Sequence, residues 1–390
     1  MIHTIGVQRH IYREKEFEEL RSITKGFKRK EDIIEYKLDF PNMSSVGINN
    51  ITLTRVVYIK EFSLKIEINL SKLLGEEKLS LYREGKNYNT LCENFQYHMY
   101  QLLENNVNIE AFEDIEIFTD FNTYNITRID YTVQQKVSDV KMYIDLLQRG
   151  DIPHKYGTKY ELHTDYDSKD EEGFLKPKSG SVYYTAKRYH INFYDKADEI
   201  ANHGGTEEEI GKADGYLRLE VQCKSPALNY QRKVITQKKN QELWEGEKLL
   251  DYRASNTKKF MFFNDADISR KMVTDKFLEV AQRGSYYKRS IGLVKIKEAK
   301  GLHNTTKKKL MEIYEFVNPL GHKRRSIRDL RMSIEECTYN GCIKSGKELD
   351  TMLKQFDKIG VNAVALKEDY KEDSLPNLYD VIIEEEYFVF

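Results

Sequence analysis

The chain has 390 residues, 40% of them hydrophobic and 32% charged, with a formal net charge of −1. That length suits two or three domains, no apolar run reaches the roughly eighteen residues of a membrane span, and the charge balance excludes binding driven by overall basicity. The N-terminal MIHTIGVQRHIYREKEFEEL lacks the charged-then-apolar layout of a secretory signal. Cys92, Cys223, Cys337 and Cys342 follow neither a disulfide framework nor zinc spacing, so a reducing, cytoplasmic setting without a membrane is expected.

The first ninety residues read as strands, because GINNITLTRVVYI and FSLKIEINL are rich in β-branched residues. In NYNTLCENFQYHMYQLLENN, helical spacing of Leu91, Phe95, Met99, Leu102 and Leu103 predicts a helix. SDVKMYIDLLQRG predicts another, with Ser138 as its cap and Gly150 at its stop. NITRIDYTV precedes that second helix, and GSVYYT, RYHINFYDK and YLRLEVQCK follow it as strands. The segment 151–180 between them reads as a functional or mobile loop. A helix is expected from about Pro226 through NYQRKVITQKKNQELWEGEKLL, and the pattern after Ser255 is mostly helical.

These elements predict an α+β fold. A central antiparallel sheet has helices on one face and an open polar face on the other, and a mainly helical C-terminal domain follows. The expected division is 1–255 and 256–390, with a motif core at about 120–235. Charge is segregated: between Arg283 and Arg331 there are fourteen Lys or Arg against four Asp or Glu, and from Glu368 onward the sign reverses. SGKE at 345–348 lacks the first Gly and the Ser/Thr of a phosphate-binding loop, which leaves Ser345 as a helix cap.

Side chains alternate along a strand. In ITRIDYTV, Arg128, Asp130 and Thr132 share one face. RYHINFYDKADEI, read as strand, puts Arg188, His190, Asn192, Tyr194 and Lys196 together, and YLRLEVQCK does the same for Arg218, Glu220, Gln222 and Lys224. Paired in one sheet, the three strands would project Asp130, His190 and Glu220 from one surface. Two carboxylates and an imidazole suit Mg²⁺ or Mn²⁺ with positions left for phosphate oxygens, and Arg128, Arg218, Lys196 and Lys224 could hold the rest of a phosphate backbone. The same residues also fit ordinary cross-strand ion pairs on a solvated face.

ITRIDYTV, SVYYTAKRYHINFYDKADEI and YLRLEVQCKSPALNY, in this order and spacing, resemble the phage and plasmid replication initiators of the gene II/X family and the related Rep-trans initiators. Membership would imply a rolling-circle replication endonuclease that nicks one origin strand through a tyrosine, keeps the 5′ phosphate and later rejoins the strand. The resemblance makes Asp130, His190 and Glu220 the metal ligands, although His-Ile-Asn stands where the wider superfamily has a His-hydrophobe-His pair. Among 27 tyrosines, Tyr230 fits the nucleophile best: it starts the helix after YLRLEVQCK and is followed by Arg232 and Lys233. Tyr194, Tyr252, Tyr286 and Tyr287 are the alternatives, with Lys196 a further catalytic candidate.

On this resemblance the basic segment becomes a DNA-binding surface through Lys288, Arg289, Lys307, Lys308, Lys309, Arg324 and Arg325, and SIRDLRMSIEEC a candidate groove helix. The expected partners are origin DNA, single-stranded or hairpin, with a host helicase and polymerase; the oligomeric state stays open. A mobilisation relaxase would use the same chemistry. A non-catalytic single-strand binder, stacking bases on Tyr183 and Tyr194 beside Arg188, is the reading from a different class.

Overall fold

The computed structural model describes residues 1–38, 40, 43–77, 79–150, 161–163, 166–169, 175–177, 181–236, 259–320 and 325–384. In chain order the elements begin β1 (Ile2–Ile11), α1 (Glu14–Ser22), β2 (Thr24–Lys30), β3 (Ile33–Leu38), β4 (Ile48–Val56), β5 (Glu61–Asn69), α2 (Leu70–Leu73), α3 (Tyr88–Glu104) and α4 (Glu116–Thr119). Then come β6 (Asn125–Lys136), α5 (Val140–Gln148), β7 (Glu161–His163), β8 (Tyr166–Lys169), β9 (Leu175–Pro177), β10 (Ser181–Thr185), β11 (Tyr189–Asp195), α6 (Lys196–Asn202), α7 (Glu207–Ala213), β12 (Tyr216–Lys224) and α8 (Ser225–Thr236). The remainder is α9 (Phe260–Phe263), α10 (Ala266–Val280), β13 (Tyr286–Tyr287), α11 (Arg289–Glu298), α12 (Asn304–Val317), α13 (Ile327–Glu335), α14 (Gly346–Lys358) and β14 (Ser374–Leu375). The fold is α+β with a large antiparallel sheet, as the sequence pattern predicts.

The chain divides into two compact units, residues 1–132 with 222–271, and residues 133–221 with 272–390. In the first unit the strands are ordered β2-β3-β4-β5-β1-β6. Each pair is antiparallel, and the hydrophobic residues of β1, β4 and β5 (Ile5, Val7, Ile51, Leu53, Leu64, Ile66) are buried. Phe17 of α1 stacks on Phe62 of β5 at 4.3 Å between ring centroids, and Phe95 of α3 meets Phe121 edge-on at 5.2 Å. A fully buried aromatic of this kind contributes about 1.5–3 kcal/mol through the area it removes from water.

The turn before β4 depends on Gly47. Its φ is +85°, and a Cβ there would stand 2.6 Å from both the Asn69 carbonyl oxygen and the Leu73 nitrogen. Left-handed strain and a backbone clash add, so Gly47→Ala is expected to destabilise the chain by about 3 kcal/mol. The check is its thermal unfolding midpoint, which should fall by several degrees.

In the second unit the strand order is β12-β11-β10-β7, and β10 and β11 pair antiparallel from Ser181↔Tyr194 to Thr185↔His190. Phe193 of β11 packs against Phe277 of α10 at 6.0 Å, while Leu217, Leu219 and Val221 of β12 are fully buried. Arg149, just after α5, donates to the carbonyls of Val317, Arg325 and Ala365 and to Asn318 Oδ1. One guanidinium thereby fastens the end of α5 to three segments near the C-terminus.

Several local readings are corrected. The first ninety residues include a helix, α1, whose Phe17 and Leu20 face the core. The cap of α5 is Asp139, accepting from the Met142 N–H at 2.9 Å, and not Ser138. The strand beginning near 188 ends at Asp195, whose carboxylate accepts from the Ala197 N–H at 2.9 Å and starts α6. Lys196 is therefore the first residue of a helix and does not share a strand face with His190. Ser345 does cap α14, accepting from the Glu348 N–H at 3.2 Å. Short strands occupy parts of the segment read as a loop at 151–180, and its other residues lie outside those described. The expected helix beyond Thr236, with Tyr252, also lies outside the described residues.

Candidate functional site

In the first unit the site grows from β6. Ile126, Ile129 and Tyr131 anchor the strand in the core, and Arg128 and Asp130, two residues apart, point the same way. Arg128 forks onto Asp130, with Nε donating to Oδ1 at 2.9 Å and Nη2 to Oδ2 at 2.6 Å, and its Nη1 donates to Glu67 Oε1 on β5 at 3.1 Å. Asp130 is only 2% exposed. The residue opposite Arg128 on β1 is Gly6, where a Cβ would come within 3.0 Å of the Arg128 Cβ, so glycine lets the two strands approach closely at this point. A two-pronged charge-assisted contact of this kind is strong and geometrically specific.

Helix α8 leaves directly from the end of β12, and its first residue is tied to β6: Ser225 Oγ donates to the Thr127 carbonyl at 3.0 Å. Ala227 and Leu228 bury one side of the helix, and Tyr230 stands 50% exposed on it, with Arg232 and Lys233 following. Lys224 lies at the β12–α8 junction, and burial together with the positive charge of Arg128 lowers the pKa of its amine. An accessible phenol and several cations thus belong to the same unit as the Arg128–Asp130–Glu67 cluster.

The second unit holds a buried polar network. Tyr194 O–H donates to Glu220 Oε1 at 2.6 Å, and Arg218, fully buried, donates through Nε to Gln134 Oε1 at 3.0 Å with its Nη1 4.0 Å from Glu220. Burial, with the neighbouring Glu220 charge, pushes the Tyr194 phenol well above its ordinary value. Lys196 is 3% exposed and donates to Glu199 at 2.5 Å, and burial with the nearby Arg218 lowers its amine. Tyr194 and Lys196 are thus interior groups, whereas alternation placed both on an open face. The phenol is kept protonated, the opposite of what a nucleophile requires.

His190 is partly buried opposite Thr185, and Arg188 is exposed just before β11. Asp130 belongs to the first unit and His190 and Glu220 to the second. Among the described residues there is no cluster of three or more His, Cys, Asp and Glu arranged to hold a metal ion. Of the other tyrosines proposed as nucleophile, Tyr286 is buried at 3% with its phenol raised by that burial, and Tyr287 is partly buried. The sequence reading missed Glu67 and Gly6. The alternation of FSLKIEINL places Lys65 and Glu67 on one face, but only the β1–β5–β6 register shows which residues stand opposite.

Part of the basic segment is answered from within its own unit. Lys288 pairs with Asp373 at 3.1 Å, Arg289 with Glu315 at 3.5 Å and Lys309 with Glu348 at 2.5 Å, and Ser290 donates to Glu368. The acidic C-terminal stretch folds back through the β13–β14 ladder to meet it. Lys307 donates to the Lys297 carbonyl, Arg325 lies over the Phe316 ring at 4.5 Å, and Lys308 stands beside Glu312; Arg324 is outside the described residues. The proposed groove helix, α13, buries Ile327, Leu330, Ile334 and also Arg331, which donates to Asp350.

The Lys309 contact and the Lys344 N–H hold the Glu348 carboxyl below its ordinary range. A depressed carboxylate contributes stability that is present above its unfolded pKa and lost as pH falls through the folded one. Glu348→Gln is expected to flatten the acid limb below about pH 4.5, measured as helical ellipticity against pH.

Among the described residues, no helix is long and apolar enough to cross a membrane. No family model matches the sequence, and no curated protein matches it. Among solved structures the chain is similar to a rolling circle replication initiator protein from Geobacillus stearothermophilus, a remote likeness at 12% identity and a TM-score of 0.26, spanning 67% of this chain and 97% of that one.

Proposed function

We propose that this chain nicks and rejoins one DNA strand to start rolling-circle replication, with Tyr230 as the nucleophile. The observation that supports this reading most is local. An exposed tyrosine sits on a helix whose first residue is bonded to β6 one position before Arg128, with Arg232, Lys233 and Lys224 close in sequence. In this reading the Tyr230 oxygen, having lost its proton to solvent or a nearby base, attacks phosphorus. An O–P bond forms, the bond from phosphorus to the 3′ oxygen breaks, and that oxygen takes a proton to become a 3′ hydroxyl. Rejoining runs the same exchange backwards. The cations would hold the flanking phosphates.

Mg²⁺ or Mn²⁺ belongs to the same proposal and would polarise the scissile phosphate when bound, although Asp130, His190 and Glu220 do not form a three-ligand cluster among the described residues. Both Asp130 oxygens accept from Arg128, and Glu220 accepts from Tyr194, so ligation would compete with those contacts. The test is incubation with single-stranded DNA from the element's own origin plus Mn²⁺, analysed on a denaturing gel. A cleaved strand is expected with metal and none in EDTA. Strand binding without cleavage under both conditions would favour a non-catalytic single-strand binder. A host helicase and polymerase are the partners that an exposed 3′ hydroxyl and a displaced strand would call for.

A further inference from the structure

The polar face that carries Arg128 continues across the first unit. Residues directly opposite one another on neighbouring strands share a face, so the registers trace it strand by strand. Arg128 lies opposite Gly6, Gly6 opposite Glu67, and Glu67 opposite Asn50. One rung along, Gln8, Lys65, Thr52 and Lys37 stand opposite one another in turn, and on the next Lys28 of β2 stands opposite Glu35.

At its outer end this face becomes a groove of about 500 Å³, lined by Lys25, Lys28, Glu35, Lys37, Asn50 and Thr52 among others. Lys25, Lys28 and Lys37 are exposed, and Glu35, the one acid in the lining, lies 3.9 Å from Lys65. The groove therefore combines three exposed cations with one acid that is already beside Lys65, and it lies on the same face as Arg128, where the nicking reading puts an unpaired strand.

We propose that the face from β2 to β6 is a track for a single DNA strand, with Lys25, Lys28 and Lys37 on its phosphates. This rests on the nicking function proposed above and says where the strand lies before it reaches Arg128. Six strands span about 24 Å at the usual strand spacing, the length of about seven stacked nucleotides, which is within the size range of known single-strand sites.

The experiment is fluorescence anisotropy of a labelled oligo(dT) of about a dozen nucleotides with the full chain. It compares wild type, the triple variant Lys25→Gln/Lys28→Gln/Lys37→Gln and the triple Lys→Arg variant, across salt concentrations. Loss of three phosphate contacts should weaken binding at least about tenfold at low salt and reduce the log–log salt slope by about 2, with the arginine variant close to wild type. Unchanged affinity and slope in the glutamine variant would overturn the track even if origin DNA is still nicked. Equal weakening toward duplex of the same length would overturn its single-strand character. The expected weakening in a chain that never cleaves origin DNA would leave the track standing and overturn the nicking reading.

Discussion

Tyr230→Phe is expected to hold single-stranded origin DNA with an affinity within about threefold of the wild type and to cleave none of it. Only a half-exposed oxygen is removed, and α8 keeps Ser225 on the Thr127 carbonyl and Ala227 and Leu228 in the core, so neither folding nor strand binding should suffer. Deleting an enzyme's nucleophile lowers turnover by about 10⁴-fold or more. A denaturing gel at fixed time, with anisotropy alongside, separates the two effects. Cleavage at the wild-type rate would move the nucleophile to another tyrosine. Tyr194 is the poorest substitute, because its phenol is buried and donates to Glu220.

Arg128→Met is expected to destabilise the chain by about 3 kcal/mol. Asp130 is almost wholly buried, and both its oxygens accept from that one guanidinium, so removing the cation takes a two-pronged charge-assisted contact from an interior carboxylate. Replacing both partners, Arg128→Met with Asp130→Leu, should recover most of the loss, since well-packed apolar groups commonly substitute for a buried ion pair at little net change. Denaturant midpoints of the two single variants and the double complete the cycle. A double variant as unstable as the sum of the singles would mean that the pair is not the coupled unit its geometry describes.

Much of the sheet was legible because alternation is a local property. β12 was read from its first residue to its last, and the buried set Leu217, Leu219, Val221 and Cys223 is the apolar face that its pattern gives. The polar face was legible in its residue types but not in its exposure. Arg218 alternates as a surface residue would, yet it is fully buried, donating to Gln134 of β6 and lying 4.0 Å from Glu220 two residues along its own strand. Pairing of that kind is set by register, which one strand's sequence does not contain. Lys196 failed for a local reason: Asp195 can continue a strand or cap a helix, and α6 takes the second course. Two cations of the basic run 283–331, Lys288 and Lys309, meet acids that arrive from later in the chain, Asp373 and Glu348, which the run's own sequence does not show. The groove at Lys25, Lys28 and Lys37 went unread because three lysines on two short strands look unremarkable until β2 and β3 are aligned.

Whether Tyr230 is the nucleophile is tested most directly by peptide mapping with mass spectrometry after incubation of the full chain with its origin single strand and Mn²⁺. A nucleotide adduct is expected on the peptide containing Tyr230, joined through a 5′ phosphate and absent from Tyr230→Phe. Strand cleavage with no protein adduct, or an adduct on a different tyrosine that persists in Tyr230→Phe, would contradict it.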